Sequence, residues 1–236
     1  MIWRRVRFVT QGSRTCTDGL ALRGQRELCV ESAPDLAGET KDFLRFVVAY
    51  LDESDRRIVA GETLRYGYWL VKFVLVSADA ASPLEVWEYN ADATDFIRGG
   101  ALSIRYWTEQ HKVCRRYNAI FAPPNPETLT AVSTGVLEGR PAQGMRYPWP
   151  DTRSGWLIVT DEYKGDVRAL THHHTYHVTS ARADLAPYIA LPPGFGFDCR
   201  TKERVWYDEA AVREHLKECF GDQGLIDAGF DLEKKQ

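Results

Sequence analysis

The run Leu64–Val76 constrains the fold most, because aromatic and β-branched side chains dominate it and only Lys72 interrupts its second half, Tyr68–Val76. Side chains of that kind suit a pleated, half-buried surface, so the run predicts a long, mostly buried strand bent at Gly67. Ser82-Pro83 ends it, and Leu84–Tyr89 begins another strand. Two such runs separated by a short break predict an antiparallel pair. The remaining apolar segments then have to pack on that sheet.

They are arranged as isolated elements. In residues 40–52, Phe43, Leu44, Phe46, Val47, Tyr50 and Leu51 make one broad apolar stripe at helical spacing, with Thr40 as a candidate cap. Residues 101–117 form a second helix pattern, with Leu102, Tyr106, Trp107, Val113, Cys114 and Tyr117 on one side. Residues 3–9 and 27–31 suit short strands. Ala122-Pro-Pro-Asn-Pro forbids a helix through itself, but could start one with Asn125 as cap and Pro126 in the first turn. Gly139–Gly155 is rich in Pro and Gly and predicts a connector, followed by a strand at 156–160. Residues 169–178 predict an extended segment and 180–189 a short helix. Residues 195–199 and 204–207 predict a hairpin, and 208–220 a final helix with Ala211, Val212, His215, Leu216 and Cys219 inward, before a loosely held tail. With no regular β-α-β alternation, the expected class is α+β: a mostly antiparallel sheet with two to four packed helices. A single unit over 1–236 is expected, with sub-lobes 1–121 and 126–220 as the alternative arrangement.

Composition excludes several roles. Thirty basic and 33 acidic residues leave a formal charge of −3, a balance that does not predict nucleic-acid binding, which usually shows as a strongly basic face or segment. No apolar run is long enough to span a membrane. The basic N-terminus lacks the apolar stretch of a secretory signal, and Cys16, Cys29, Cys114, Cys199 and Cys219 are odd in number and scattered. Together these predict reduced cysteines and a cytoplasmic protein.

The loudest motif is His172-His173-His174-Thr175-Tyr176-His177. On a strand, His172 and His174 share one face; on a helix, His173 and His177 align. Either way two ligands converge, and no carboxylate or cysteine lies at a spacing that completes a metal set. A structural or binding-surface role is the expectation, so no metal or cofactor is predicted. Ser154-Gly155 lacks the flanking glycine of a nucleophile elbow. Gly194-Phe-Gly196 lacks the rest of a dinucleotide fingerprint and reads as a turn into a strand. Asp161-Glu162 and Asp208-Glu209 sit where acids favour turns and helix starts.

Gly144-Met-Arg-Tyr-Pro, Ser154-Gly-Trp, Thr160-Asp-Glu-Tyr-Lys-Gly-Asp, His174-Thr-Tyr-His and Arg182-Ala-Asp-Leu-Ala-Pro-Tyr-Ile-Ala-Leu-Pro-Pro-Gly-Phe-Gly-Phe together resemble the immunity protein 33 domain family of bacterial polymorphic toxin systems. The resemblance spans roughly residues 100–208. It implies a non-catalytic antidote whose partner is a cognate protein toxin, and it brings no catalytic residues with it. Surface aromatics beside arginine are typical of such interfaces. The expected toxin-binding residues, taken from loops that look exposed and from the histidine run, are Arg146, Tyr147, Trp149, Asp161, Tyr163, His172, His173 and His174. The alternatives are a metal-dependent enzyme built on His172–His177 and a small-ligand sensor.

Overall fold

The computed structural model describes residues 6–54, 56–79, 81–150, 152–200 and 204–229. The chain divides into two compact units, 1–109 and 110–236. Each is built on its own mixed sheet, and the class is α+β.

The first unit contains β1 (Arg7–Gln11), β2 (Arg14–Asp18), β3 (Leu28–Glu31), α1 (Ala37–Ser54), β4 (Thr63–Tyr66), β5 (Trp69–Leu75), β6 (Leu84–Tyr89) and β7 (Phe96–Arg98). α2 (Ala101–Arg116) follows, and the division between units falls inside it. The strand order is β1-β2-β3-β6-β5-β4, with β7 also on β6. Among the described residues of this sheet, only β3 and β6 run parallel. Phe43, Leu44, Val47 and Leu51 of α1 are buried in one cluster with Val71, Phe73 and Val86 of the sheet. Each such side chain contributes about 1.5–3 kcal/mol on burial. The first turn of α2 is held from the sheet: Leu102 N, Ser103 N and Ser103 Oγ donate to the buried Glu88 carboxylate. Burial raises that carboxyl's pKa, while those hydrogen bonds pull it down.

The first unit departs from the sequence expectation at three points. Leu64–Val76 is a hairpin, with Tyr66 opposite Trp69 and Gly67 at φ 62° in the two-residue turn. Positive φ at the first loop position matches the twist of the flanking strands, so the glycine reverses the chain where a bend was expected. Thr40 lies inside α1, where its hydroxyl donates to Leu36 O; the helix begins at Ala37, directly after a 3₁₀ turn at Pro34–Leu36. Cys16 and Cys29 are joined in a disulfide, contrary to the expected reduced set. Their sequence separation hides the fact that β2 and β3 place them directly opposite, with Cα atoms 4.1 Å apart. In protein purified without reductant and then unfolded, a thiol reagent is expected to label Cys114, Cys199 and Cys219 only. Prior reduction should expose Cys16 and Cys29 as well. Mass spectrometry showing all five labelled without reduction would contradict the bridge. Of the predicted strand 3–9, residues 3–5 lie outside the described residues.

The second unit contains β8 (Leu129–Val132), β9 (Ala142–Arg146), β10 (Arg153–Thr160), β11 (Thr171–His174), α3 (Thr175–Ala181), a 3₁₀ segment (Ala183–Tyr188), β12 (Phe195–Asp198), β13 (Arg204–Tyr207) and α4 (Glu209–Asp227). The order is β11-β8-β10-β9-β12-β13, with β8 and β10 parallel and the other neighbours antiparallel. The predicted β12–β13 hairpin is present. Trp156, Ile158, Val178, Leu185, Ile189, Leu191 and Phe197 are buried. Asp208 caps α4 by accepting from Ala211 N at 3.0 Å, and Val212, Leu216 and Leu225 close against Met145.

The Pro/Gly-rich 139–155 segment proves to contain β9 and the start of β10. The strand was hidden because its inward positions are Ala142, Gly144 and Arg146, an unusual core set. Gly144 leaves room for a ring: a Cβ there would lie 2.5 Å from Phe197 Cε1. Asn125 caps no helix; its Oδ1 accepts from Glu127 N in the turn before β8. The extended segment stops at His174, where α3 begins, and the short helix expected over 180–189 is the 3₁₀ segment. α4 continues beyond Gly221, which has non-helical angles, and the buried Leu225 anchors its last turns. The predicted loose tail is thus helical to Asp227; residues 230–236 lie outside the described residues.

Candidate functional site

The two faces of the second sheet differ in kind. Thr130, Val132, Ser154, Trp156 and Ile158 are buried. Leu129, Ala131 and Leu157, whose side chains alternate with them, are only half-buried. Register pairing puts Leu157 opposite Ala131 and Ala131 opposite His172, so one row crosses β10, β8 and β11. This half-covered row is the floor of a groove of about 480 Å³. One wall is α4, presenting Glu214, His215, Glu218 and Cys219; Tyr147, Trp149, Val167 and Leu170 also line it. Val167 is 72% exposed.

His215 joins α4 to the segment after β9. Its ring centroid lies 4.7 Å from that of Tyr147 and 4.9 Å from that of Trp149, and its Nε2 is 3.3 Å from Pro148 O. Trp149 also meets Phe220 edge-on and carries the Arg153 guanidinium 4.7 Å above its ring. Burial lowers the His215 pKa, against the opposing pull of the Pro148 carbonyl and Glu218. Burial raises that of Tyr147, and the negative charges of Asp208 and Glu214 raise it further. The groove is therefore an aromatic and aliphatic trough with carboxylates on its α4 side.

Its chemical inventory is sparse. Cys219 Sγ lies 3.8 Å from His215 Nδ1. With Nε2 donating to Pro148 O, Nδ1 would accept from the thiol, while Glu214 and Glu218 flank the pair on α4. No group of three or more His, Cys, Asp or Glu among the described residues could hold a metal ion. The histidine run splits between two elements. His172 lines the groove, and His173 Nε2 sits 3.0 Å from Thr171 Oγ1. His174 stacks with Tyr176 and packs beside His177.

Of the expected toxin-binding residues, the fold gathers Tyr147, Trp149 and His172 in the groove. Asp161 is exposed and accepts from Arg200, and Tyr163 is half-buried in the turn after β10. Neither these two nor His173 and His174 line the groove. Arg146 corrects the expectation of an exposed loop residue. It is 8% exposed, and its guanidinium donates to Ser154 O, Ala122 O and Leu191 O. Burial lowers its pKa to about 10, which leaves it charged at neutral pH. Sequence reasoning missed Glu214 and Glu218. Helical spacing signalled that His215 and Cys219 face inward, but not which part of the sheet they would meet.

The motifs behind the family resemblance are mostly scaffold. Trp156 Nε1 donates to Ile189 O at 3.0 Å. Arg182 grips Asp184 through two nitrogens and also donates to Val136 O and Arg140 O. Ser154 Oγ and Thr130 Oγ1 share a buried hydrogen bond. No helix of the described residues is long and apolar enough to cross a membrane. Comparison with curated proteins and with solved structures finds no match. The family comparison does: residues 109–208, running from within α2 to the strand before α4, match the Imm33-like domain.

Proposed function

We propose that this protein is a non-catalytic antidote whose second unit binds and neutralises a cognate protein toxin through the groove beside α4. The observation that carries this reading is the Imm33-like match over residues 109–208, whose motif residues build the sheet behind the groove. An antidote needs a stable scaffold and a complementary surface. Anchors in such surfaces are commonly Trp, Tyr and Arg set in a partly apolar patch, and a stable interface buries about 800 Å² per partner. Tyr147 and Trp149 both line the groove, which supports reading them as anchors of that kind.

The test is capture of the toxin from the native host by the full chain, with the captured protein identified by mass spectrometry. Co-expression should then relieve the toxicity of the captured domain. Trp149→Ala should weaken binding by about 30-fold or more, the loss of one hot-spot side chain worth ~2 kcal/mol. Its circular dichroism should stay that of the parent. Failure to capture or protect against any toxic domain would end the proposal. Unchanged affinity in both Trp149→Ala and Tyr147→Ala would remove the groove from it.

A further inference from the structure

The groove has two parts of different origin. Its floor comes from β8, β10 and β11, inside the region matching the Imm33-like domain. Its acidic wall comes from α4, which begins at Glu209, beyond that match. On this wall Glu214 and Glu218 are one helical turn apart and share a face, as residues at i and i+4 do. Both are exposed, and neither forms an ion pair with a described residue. The nearby acids on α4 that do pair, such as Glu209 with Arg213, lie outside the groove.

The two carboxylates therefore stand beside an aromatic surface with no cation of their own. Their field reaches into the groove: the charge of Glu214 acts on Tyr147, and that of Glu218 on His215. The groove's own cation, Arg153, sets its guanidinium carbon 4.7 Å from the Trp149 ring centroid, so this aromatic surface already hosts one guanidinium. One guanidinium against two carboxylates leaves the lining net negative.

We propose that the groove accepts an extended, apolar segment of the partner protein carrying one basic side chain, which stacks on the Tyr147–Trp149 aromatics and pairs with Glu214 and Glu218. Leu129, Ala131 and Leu157 take the flanking apolar residues. A carboxylate pair beside aromatic faces suits arginine better than lysine, because a planar guanidinium can stack and donate through two nitrogens at once. α4 is then the element that selects the partner, on a floor built by the matched domain. This rests on the antidote reading for the identity of the partner, although the recognition chemistry can be measured without it.

The experiment uses the full chain on an array of immobilised apolar decapeptides that differ only in a central arginine, lysine, glutamine or glutamate. Arginine peptides should be retained about tenfold more than glutamine ones and glutamate peptides least, with the preference shrinking as salt is raised. E214Q/E218Q replaces two exposed groups by isosteres and so spares the fold. It should abolish the arginine preference while leaving retention of the glutamine peptides unchanged. No preference for a basic centre, or a preference that survives in E214Q/E218Q, overturns the assignment. Toxin capture by the parent chain together with a flat array would remove this assignment and leave the antidote reading standing. A clear arginine preference without any toxin capture would uphold the groove's chemistry and remove the antidote reading.

Discussion

Replacing Arg146 with alanine is expected to lower the stability of the second unit by about 3–5 kcal/mol, because three carbonyls lose their charged donor. The side chain comes from the end of β9 and donates to three carbonyls, those of Ser154, Ala122 and Leu191. These belong to β10 and to two irregular segments that have no strand partner to supply the bonds. Removing the guanidinium strands three acceptors, of which those of Ser154 and Leu191 are buried, and each buried acceptor left bare costs about 1–3 kcal/mol. Lysine keeps the charge but offers one tetrahedral head in place of a planar fork, so Arg146→Lys should still lose about 2 kcal/mol. Urea unfolding followed by tryptophan fluorescence measures both. A loss below about 1 kcal/mol for Arg146→Ala would show that the network does not hold the unit together. A toxin-binding defect in this variant would therefore report unfolding, and a surface role needs the evidence of Trp149 and Tyr147.

Gly155→Ala is expected to be comparably damaging, at about 3 kcal/mol or more, from strain and overpacking combined. Gly155 has φ 81°, a region that side chains rarely enter, and a Cβ there would sit 2.1 Å from Tyr147 O. The obstacle is backbone, and it is held in place because Tyr147 N donates to Gly155 O at 2.9 Å. Parallel pairing of β10 with β8 shifts register between Arg153 and Leu157, and Gly155 lies inside that irregularity. Alanine would have to open the turn that sets Tyr147 and Trp149 beside α4. Poor soluble yield, or a midpoint shifted far below the parent's, is the expected readout. An alanine variant as stable as the parent would mean that the turn can relax, and would separate this glycine from the groove's geometry.

These two residues also mark the limits of reading this chain in one dimension. The α1 and α2 stripes, the β5–β6 pair, the β12–β13 hairpin and the Asp208 cap are legible because each depends on side chains a few residues apart. Local periodicity reports them directly. β9 was illegible for the opposite reason. Its inward positions hold a glycine whose space is filled by Phe197 and an arginine whose partners lie 8, 24 and 45 residues away. The Cys16–Cys29 bridge was hidden in the same way, because a pairing register decides it and composition does not.

For the site, the residue types were visible and their grouping was not. Tyr147, Trp149 and His172 stood out as aromatic and imidazole side chains, yet nothing in their order predicts that they share one trough with Glu214 and Glu218. By itself the sequence determined the α+β class, the main helices and the resemblance of the C-terminal half to an immunity domain, all of which rest on local pattern. The tertiary structure alone decided that Arg146 faces the interior and that α4 closes over one row of the sheet. A guanidinium is buried or exposed according to whether distant carbonyls converge on it, and that convergence exists only once the chain has folded.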